Sequence, residues 1–346
     1  AGRTQKDIPL DVLTALAAEL QDMGAVTTTL SGGEPLLRTD LERIAGAFDS
    51  RTCLKLNTTG MGLTAERANA LAENGLFALG VSLDSTDPTE HDRMRGHEGA
   101  FVTAVAALHT ASDAGLYPYV IAVATREFLE PDHFRSYLKL AADEGAREIH
   151  LLEPSAVGNL AGENGVLLDS SERAVILRYQ EETSHDDSLP IVSSFAHLES
   201  PDAFGCGAGL THLYIDGAGE VCPCNLVPLS FGNITSEPLA TILDRMAVHF
   251  RKPRPSCVGR VLGGHVPHGP LPLCPIDSAR LCDAHLPKDH PVPRFFAVRS
   301  KATAEVESGD VRDAYDLIHG SYDEFWVVEA GKPVRDMVAV LPLSGR

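Results

Sequence analysis

Two groups of residues in this chain have the types and spacing for chemistry. The first lies in Thr29-Leu30-Ser31-Gly32-Gly33-Glu34-Pro35-Leu36-Leu37. An apolar, β-prone run stops at two glycines, which permit positive φ and close approach of a ligand, then at a carboxylate and a helix-opening proline. A small zwitterion fits such a turn. Taken alone, Gly-Gly-Glu-Pro also makes an ordinary strand-to-helix turn with a solvated glutamate. The second group is Cys206, Cys222, Cys224 and Cys257. Two β-prone runs flank Asp216-Gly217, a dipeptide favouring a two-residue hairpin turn, so the strands bring Cys206 and Cys222 toward each other. Four thiolates are the usual holder of a [4Fe-4S] cluster, and Cys224 and Cys257 complete the set with Cys206 and Cys222. A structural zinc site uses the same residue types and stays open as the alternative. Cys274 and Cys282 are reserve ligands. Cys53, in the apolar stretch Cys53-Leu54-Lys55-Leu56, reads as a small buried hydrophobe. His265, His268, His285 and His290 lie unpatterned among Pro and Gly and are assigned no role.

The apolar pattern supplies the frame that must hold these residues. A helix opens the chain, with Leu13, Leu16, Ala17 and Leu20 recurring at helical spacing. Runs that favour strands, at 26–30, 54–57, 77–83, 119–125 and 148–152, alternate with helical runs starting near Asp40, Ala65, Phe101 and Asp132. Strand alternating with helix predicts an α/β fold with a parallel sheet. A helix over 171–183 and a strand at Ile191-Val192 resemble the end of that unit. In parallel (β/α) barrels ligands sit on loops at the strand carboxyl ends, which is where the Gly-Gly-Glu-Pro turn falls. With 346 residues and 44% apolar content, the chain can bury one long domain and a smaller one. The formal charge of -19 and the pI near 5.1 oppose a nucleic-acid partner. No apolar run approaches the roughly 18 residues of a membrane span, so no membrane partner is expected and the chain reads as soluble and cytoplasmic. Seven cysteines, an odd number with no signal peptide before them, oppose a secreted disulfide framework.

Downstream of the glycine turn come Leu56-Asn57-Thr58-Thr59-Gly60, Val81-Ser82-Leu83-Asp84-Ser85 and His91-Asp92-Arg93-Met94-Arg95-Gly96. In that order and at those intervals, over roughly the first half of the chain, the four segments resemble the radical S-adenosylmethionine (SAM) enzymes. The resemblance implies a partial (β/α)6 barrel whose first strand runs into a loop with three cysteines, C-x3-C-x2-C, placed before Ala1. No C-x3-C-x2-C occurs in the chain, so the catalytic [4Fe-4S] cluster is expected only if that loop exists upstream, and the chain as it stands is expected to be inactive. A chain cut just after the loop is favoured over one that has lost it. By the same resemblance, Gly32, Gly33 and Glu34 hold the methionine ammonium through backbone carbonyl and carboxylate oxygens, and Pro35 fixes the turn. Asn57 and Ser82 reach the ribose or methionine end, and Arg95 pairs with the SAM carboxylate. Each also has an ordinary structural role open to it, for Arg95 an ion pair with Asp92.

Ten residues separate Cys206 from Gly217 and four separate Gly217 from Cys222, a spacing that resembles the SPASM and twitch auxiliary-cluster domains. The later C-x2-C-x5-C-x3-C block of the full SPASM pattern is absent, so one auxiliary cluster is expected, on Cys206, Cys222, Cys224 and Cys257. Residues 1–200 are thus expected to form the barrel and 201–296 a cysteine-rich α+β domain. Residues 297–346 are expected to be helical, with helices at 310–318 and toward Val340 that resemble the lead-in to a class I methyltransferase. The function implied is generation of a 5′-deoxyadenosyl radical that takes hydrogen from a peptide or, second, a small metabolite. A reductant protein such as a flavodoxin or ferredoxin is the implied electron source. From another class comes a non-catalytic SAM-binding or scaffold protein with a structural zinc or iron–sulfur domain.

Overall fold

The computed structural model describes residues 7–155, 160, 163–198, 200–201, 203–267, 269–298 and 338–343. From Leu10 to Ser194 the chain repeats one plan, a strand followed by a helix that returns to start the next strand. The strands are β1 (Thr27–Gly32), β2 (Cys53–Thr58), β3 (Leu76–Ser82), β4 (Tyr117–Val123), β5 (Glu148–Leu152) and β6 (Ile191–Ser194). All six are parallel and lie in sequential order across the sheet.

Alternation along these strands decides which face the helices cover. Leu54 and Leu56, Leu79 and Val81, Val120 and Ala122, Ile149 and Leu151 all enter the main core. They meet apolar positions of the flanking helices, among them Leu16 and Leu20 of Leu10–Asp22, Leu71 of Ala65–Glu73 and Phe134 of Pro131–Asp143. The intervening residues point the other way. Ala78, Tyr119 and Ile121 form a small separate cluster there, joined by Tyr117, and polar Lys55, Asn57, Glu148, His150 and Ser193 share the face. A parallel sheet wound in one sense, helices outside and a partly polar inner face, is the architecture of a partial (β/α) barrel.

Beyond the barrel, β7 (His212–Ile215) and β8 (Val221–Cys222) form the expected antiparallel hairpin. Its turn is longer than Asp216-Gly217 predicts. Ile215 pairs with Val221, the Asp216 carboxylate accepts from the Ala218 and Glu220 amides, and Gly219, at φ +89°, is the residue that needs glycine. A local side-chain bond from Asp216 thus outcompetes the two-residue turn. A second departure concerns the tail. Where a helix toward Val340 is expected, the structure has a strand, β9 (Val338–Leu343), parallel to both β1 and β7. Its Val-Ala-Val-Leu run suits a strand, and pairing between two existing edges overrides the helical reading. The expected helix at 310–318 and the run Tyr322-Asp323-Glu324-Phe325-Trp326 lie outside the described residues. No helix among the described residues is long and apolar enough to cross a membrane.

Three histidines are held neutral by burial, His91, His249 and, on β7, His212, whose pKa is pushed down to about 4. Folded values below the ordinary 6.5 mean that the unfolded chain binds the extra protons. The stability these neutral rings contribute is therefore complete above about pH 6.5 and is lost as the pH falls toward 4. His212 alone is expected to account for about 3 kcal/mol of that loss. Urea titrations of the wild type and His212→Gln at pH 7.5 and 4.5 check this, because the variant must lose part of the pH dependence.

Candidate functional site

At the carboxyl end of β1 the backbone turns sharply, Gly32 adopting φ +152°, and Gly32 and Gly33 are exposed. Glu34 follows, buried, as the cap of a single 3-10 turn Pro35–Leu37. Both of its carboxylate oxygens are taken. Oε1 accepts from the Leu36 amide (3.1 Å) and the Thr58 hydroxyl (2.5 Å), and Oε2 from the Thr59 amide (2.8 Å) and the Thr59 hydroxyl (2.5 Å). Glu34 therefore ties the turn after β1 to the end of β2. Arg67, on the helix Ala65–Glu73, clamps the same turn by donating to the Leu36 and Arg38 carbonyl oxygens while pairing with Glu42 at 2.7 Å. Pro35 is buried at the first position of the turn, where its missing amide costs nothing.

Asn57 lies one strand over, and its Oδ1 accepts from the Tyr119 hydroxyl at 2.5 Å. Asn57, Gly80 and Tyr119 stand in register on β2, β3 and β4. Tyr119 crosses β3 only because residue 80 has no side chain, since a Cβ there would lie 2.4 Å from its ring. Burial pushes the Tyr119 phenol well above its usual pKa, so it stays a donor. Farther along this face, Ser193 donates to Glu148 and lies 2.9 Å from His150 Nδ1. Burial opposes the charge on Glu148, but the bonds from His150 and Ser193 and the charges of His150 and Lys55 hold its carboxyl below the ordinary range.

Ser82 ends β3, and the loop after it is fixed by the His91-to-Gly96 segment. Buried His91 accepts the Asp84 amide at Nδ1 (3.1 Å), and Arg95 pairs with Asp84 at 2.6 Å. Asp92, the alternative partner open to Arg95, instead accepts the Gly99 and Phe101 amides at the start of the next helix. Thus Gly32, Gly33, Glu34, Pro35, Asn57 and Ser82 gather at the carboxyl ends of three adjacent parallel strands, and Arg95 braces the third. Sequence reasoning gave no role to Thr58, Thr59, Arg67 or Tyr119. The first two stood within a quoted motif, whereas nothing local marks the others.

The cysteines lie on three segments that touch. Cys206 pairs with Arg254 through two backbone bonds (2.7 and 3.0 Å), which sets Cys257 beside it, and the Gly209 amide donates to the Pro223 carbonyl between Cys222 and Cys224. A Cβ added at Gly259 would lie 3.2 Å from the Leu226 carbonyl oxygen, so the Cys257 and Cys224 turns lie close together. The hydrogen bond between the Cys206 and Cys257 sulfurs lowers the Cys257 thiol pKa, while burial raises that of Cys222. Among the described residues no three Cys, His, Asp or Glu side chains converge closely enough to hold a metal ion. The donor set itself, two thiol pairs on segments bonded to one another, fits a four-thiolate iron–sulfur group. A SAM-cleaving cluster does not fit, for no C-x3-C-x2-C is present.

Comparison with known proteins agrees with this geometry. Residues 1–151 match the radical SAM superfamily and residues 206–259 match the SPASM iron–sulfur cluster-binding domain, so the chain carries a radical SAM region followed by a SPASM region. These domains imply SAM and [4Fe-4S] clusters as cofactors. An AdoMet-dependent heme synthase of Nitratidesulfovibrio vulgaris is 27% identical over 265 residues, 70% of this chain and 71% of the relative. A PqqA peptide cyclase of Rhizobium meliloti is 26% identical over 250 residues, 69% of this chain and 66% of the relative. The mycofactocin maturase MftC of Mycolicibacterium smegmatis is 32% identical over 216 residues, 60% of this chain and 54% of the relative. Among solved structures, SuiB of Streptococcus suis bound to the precursor peptide SuiA superposes with a TM-score of 0.58 at 15% identity. That match covers 70% of this chain and 59% of SuiB, and at such identity it establishes the fold alone.

Proposed function

We propose that this chain is the SAM-binding and auxiliary-cluster portion of a radical SAM enzyme that modifies a peptide. The observation that carries the reading is the joint presence of the braced glycine turn at the strand ends and the paired thiols of the cysteine region. The PqqA peptide cyclase, a relative whose name gives a peptide as what it acts on, favours a peptide over a small metabolite. Bound SAM supplies, on one-electron reduction, a radical that takes a hydrogen atom from the substrate.

This chain's part is to hold SAM. Because Thr58, Thr59 and Leu36 take up the Glu34 carboxylate, the ammonium is met chiefly by backbone carbonyls at the exposed Gly32 and Gly33, with Glu34 behind them as a fixed negative charge. Asn57, Tyr119 and Ser82 line the approach from the inner face, and Arg95 stiffens the loop that follows β3. Cys206, Cys222, Cys224 and Cys257 hold the auxiliary cluster, and a flavodoxin- or ferredoxin-type protein is the electron donor.

Anaerobic reconstitution of this chain is expected to yield about four irons and about four sulfides per polypeptide, lost in Cys206→Ala. Calorimetry is expected to detect SAM binding that weakens when the glycine turn is altered by Gly33→Val. About one zinc without sulfide, together with no heat from SAM, would sink the proposal.

A further inference from the structure

Arg254 is 9% exposed and has no carboxylate partner among the described residues. Its guanidinium donates to the Pro287 carbonyl (3.0 Å) and the His249 carbonyl (3.3 Å), while the buried Nε–H finds no acceptor among the described residues. The ionisable groups acting on its charge are the thiols of Cys282 and Cys206, both buried. Backbone pairing with Cys206 fixes the position of this side chain relative to the cysteine region. A guanidinium cannot shed its proton in a protein, and a buried cation is tolerated only where a negative charge answers it. The Cys282 thiol, kept protonated by burial, does not answer it. A four-thiolate [4Fe-4S] cluster does, being a dianion when oxidised and carrying one more negative charge when reduced.

We propose that Arg254 is the counter-charge of the auxiliary cluster, favouring its reduced form and so setting the potential at which it takes up an electron. This rests on the reading of the cysteine region as an iron–sulfur site. The attraction grows with each negative charge on the cluster, so the effect of Arg254 falls on the reduced state and raises the midpoint.

The test is a dithionite titration of the reconstituted chain, followed by electron paramagnetic resonance, for the wild type, Arg254→Lys and Arg254→Met. At the potential that half-reduces the wild-type cluster, the reduced-to-oxidised ratio of Arg254→Met is expected to be about tenfold lower, a shift of about 59 mV for one electron. Arg254→Lys, which keeps the charge, is expected to stay within about threefold of the wild type. Arg254→Gln retains amide donors for the two carbonyls and replaces the methionine variant if that variant does not fold. An unchanged midpoint in the uncharged variant with iron retained, or a lysine variant as low as the uncharged one, overturns the counter-charge alone. A wild-type chain that takes zinc and no sulfide overturns the cluster reading and the counter-charge with it.

Discussion

Glu34→Ala is expected to destabilise the chain by about 3–5 kcal/mol and to abolish measurable SAM binding. The carboxylate accepts four hydrogen bonds from Leu36, Thr58 and Thr59 across two strand ends. Its removal leaves buried donors unpaired, each costing about 1–3 kcal/mol, part of which water recovers at the exposed glycines. Glu34→Gln is expected to fall between the two, since the amide still offers an oxygen but turns its NH2 toward donors. Denaturant titration and calorimetry with SAM measure both effects. A Glu34→Ala chain as stable as the wild type would show that the tie between β1 and β2 does not depend on this side chain.

Gly205→Ala is expected to be nearly as severe, at about 4 kcal/mol, with loss of iron binding. Gly205 sits at φ +67°, and an added Cβ would lie 2.4 Å from the Arg254 carbonyl oxygen and 2.3 Å from Pro293. Left-handed strain contributes about 1–2 kcal/mol, and overpacking against backbone about 1–3 kcal/mol. The neighbouring Cys206 and its pairing with Arg254 must shift with it. Thermal melting and iron content of the reconstituted variant check the prediction, and retention of both within error counts against a rigid Cys206 segment.

How legible was this in the sequence? The barrel strands were, because short β-prone runs, as at 54–57 and 77–83, alternate along the chain with runs of helical period. The glycine turn and the cysteine hairpin were legible because glycine, proline and cysteine are few and their spacing is informative. Contacts made across the sheet were not. Nothing near Arg95 marks Asp84 rather than Asp92 as its partner, and Tyr119 reaches Asn57 from 62 residues away. The turn after Asp216 was misjudged because one side chain rewired it, and β9 because pairing with distant edges decided its state.

The Tyr119 phenol passing over Gly80 has a consequence for how related sequences can diverge. A side chain at position 80 evicts the ring, and a small residue at 119 strands the Asn57 amide and opens a hole, so each single step is unfavourable while the two together can be neutral. The positions form one epistatic character spread over three strands. Lineages of this barrel are expected to cross between its two states by paired replacement, and a library that varies one site while holding the other will not reach the second state.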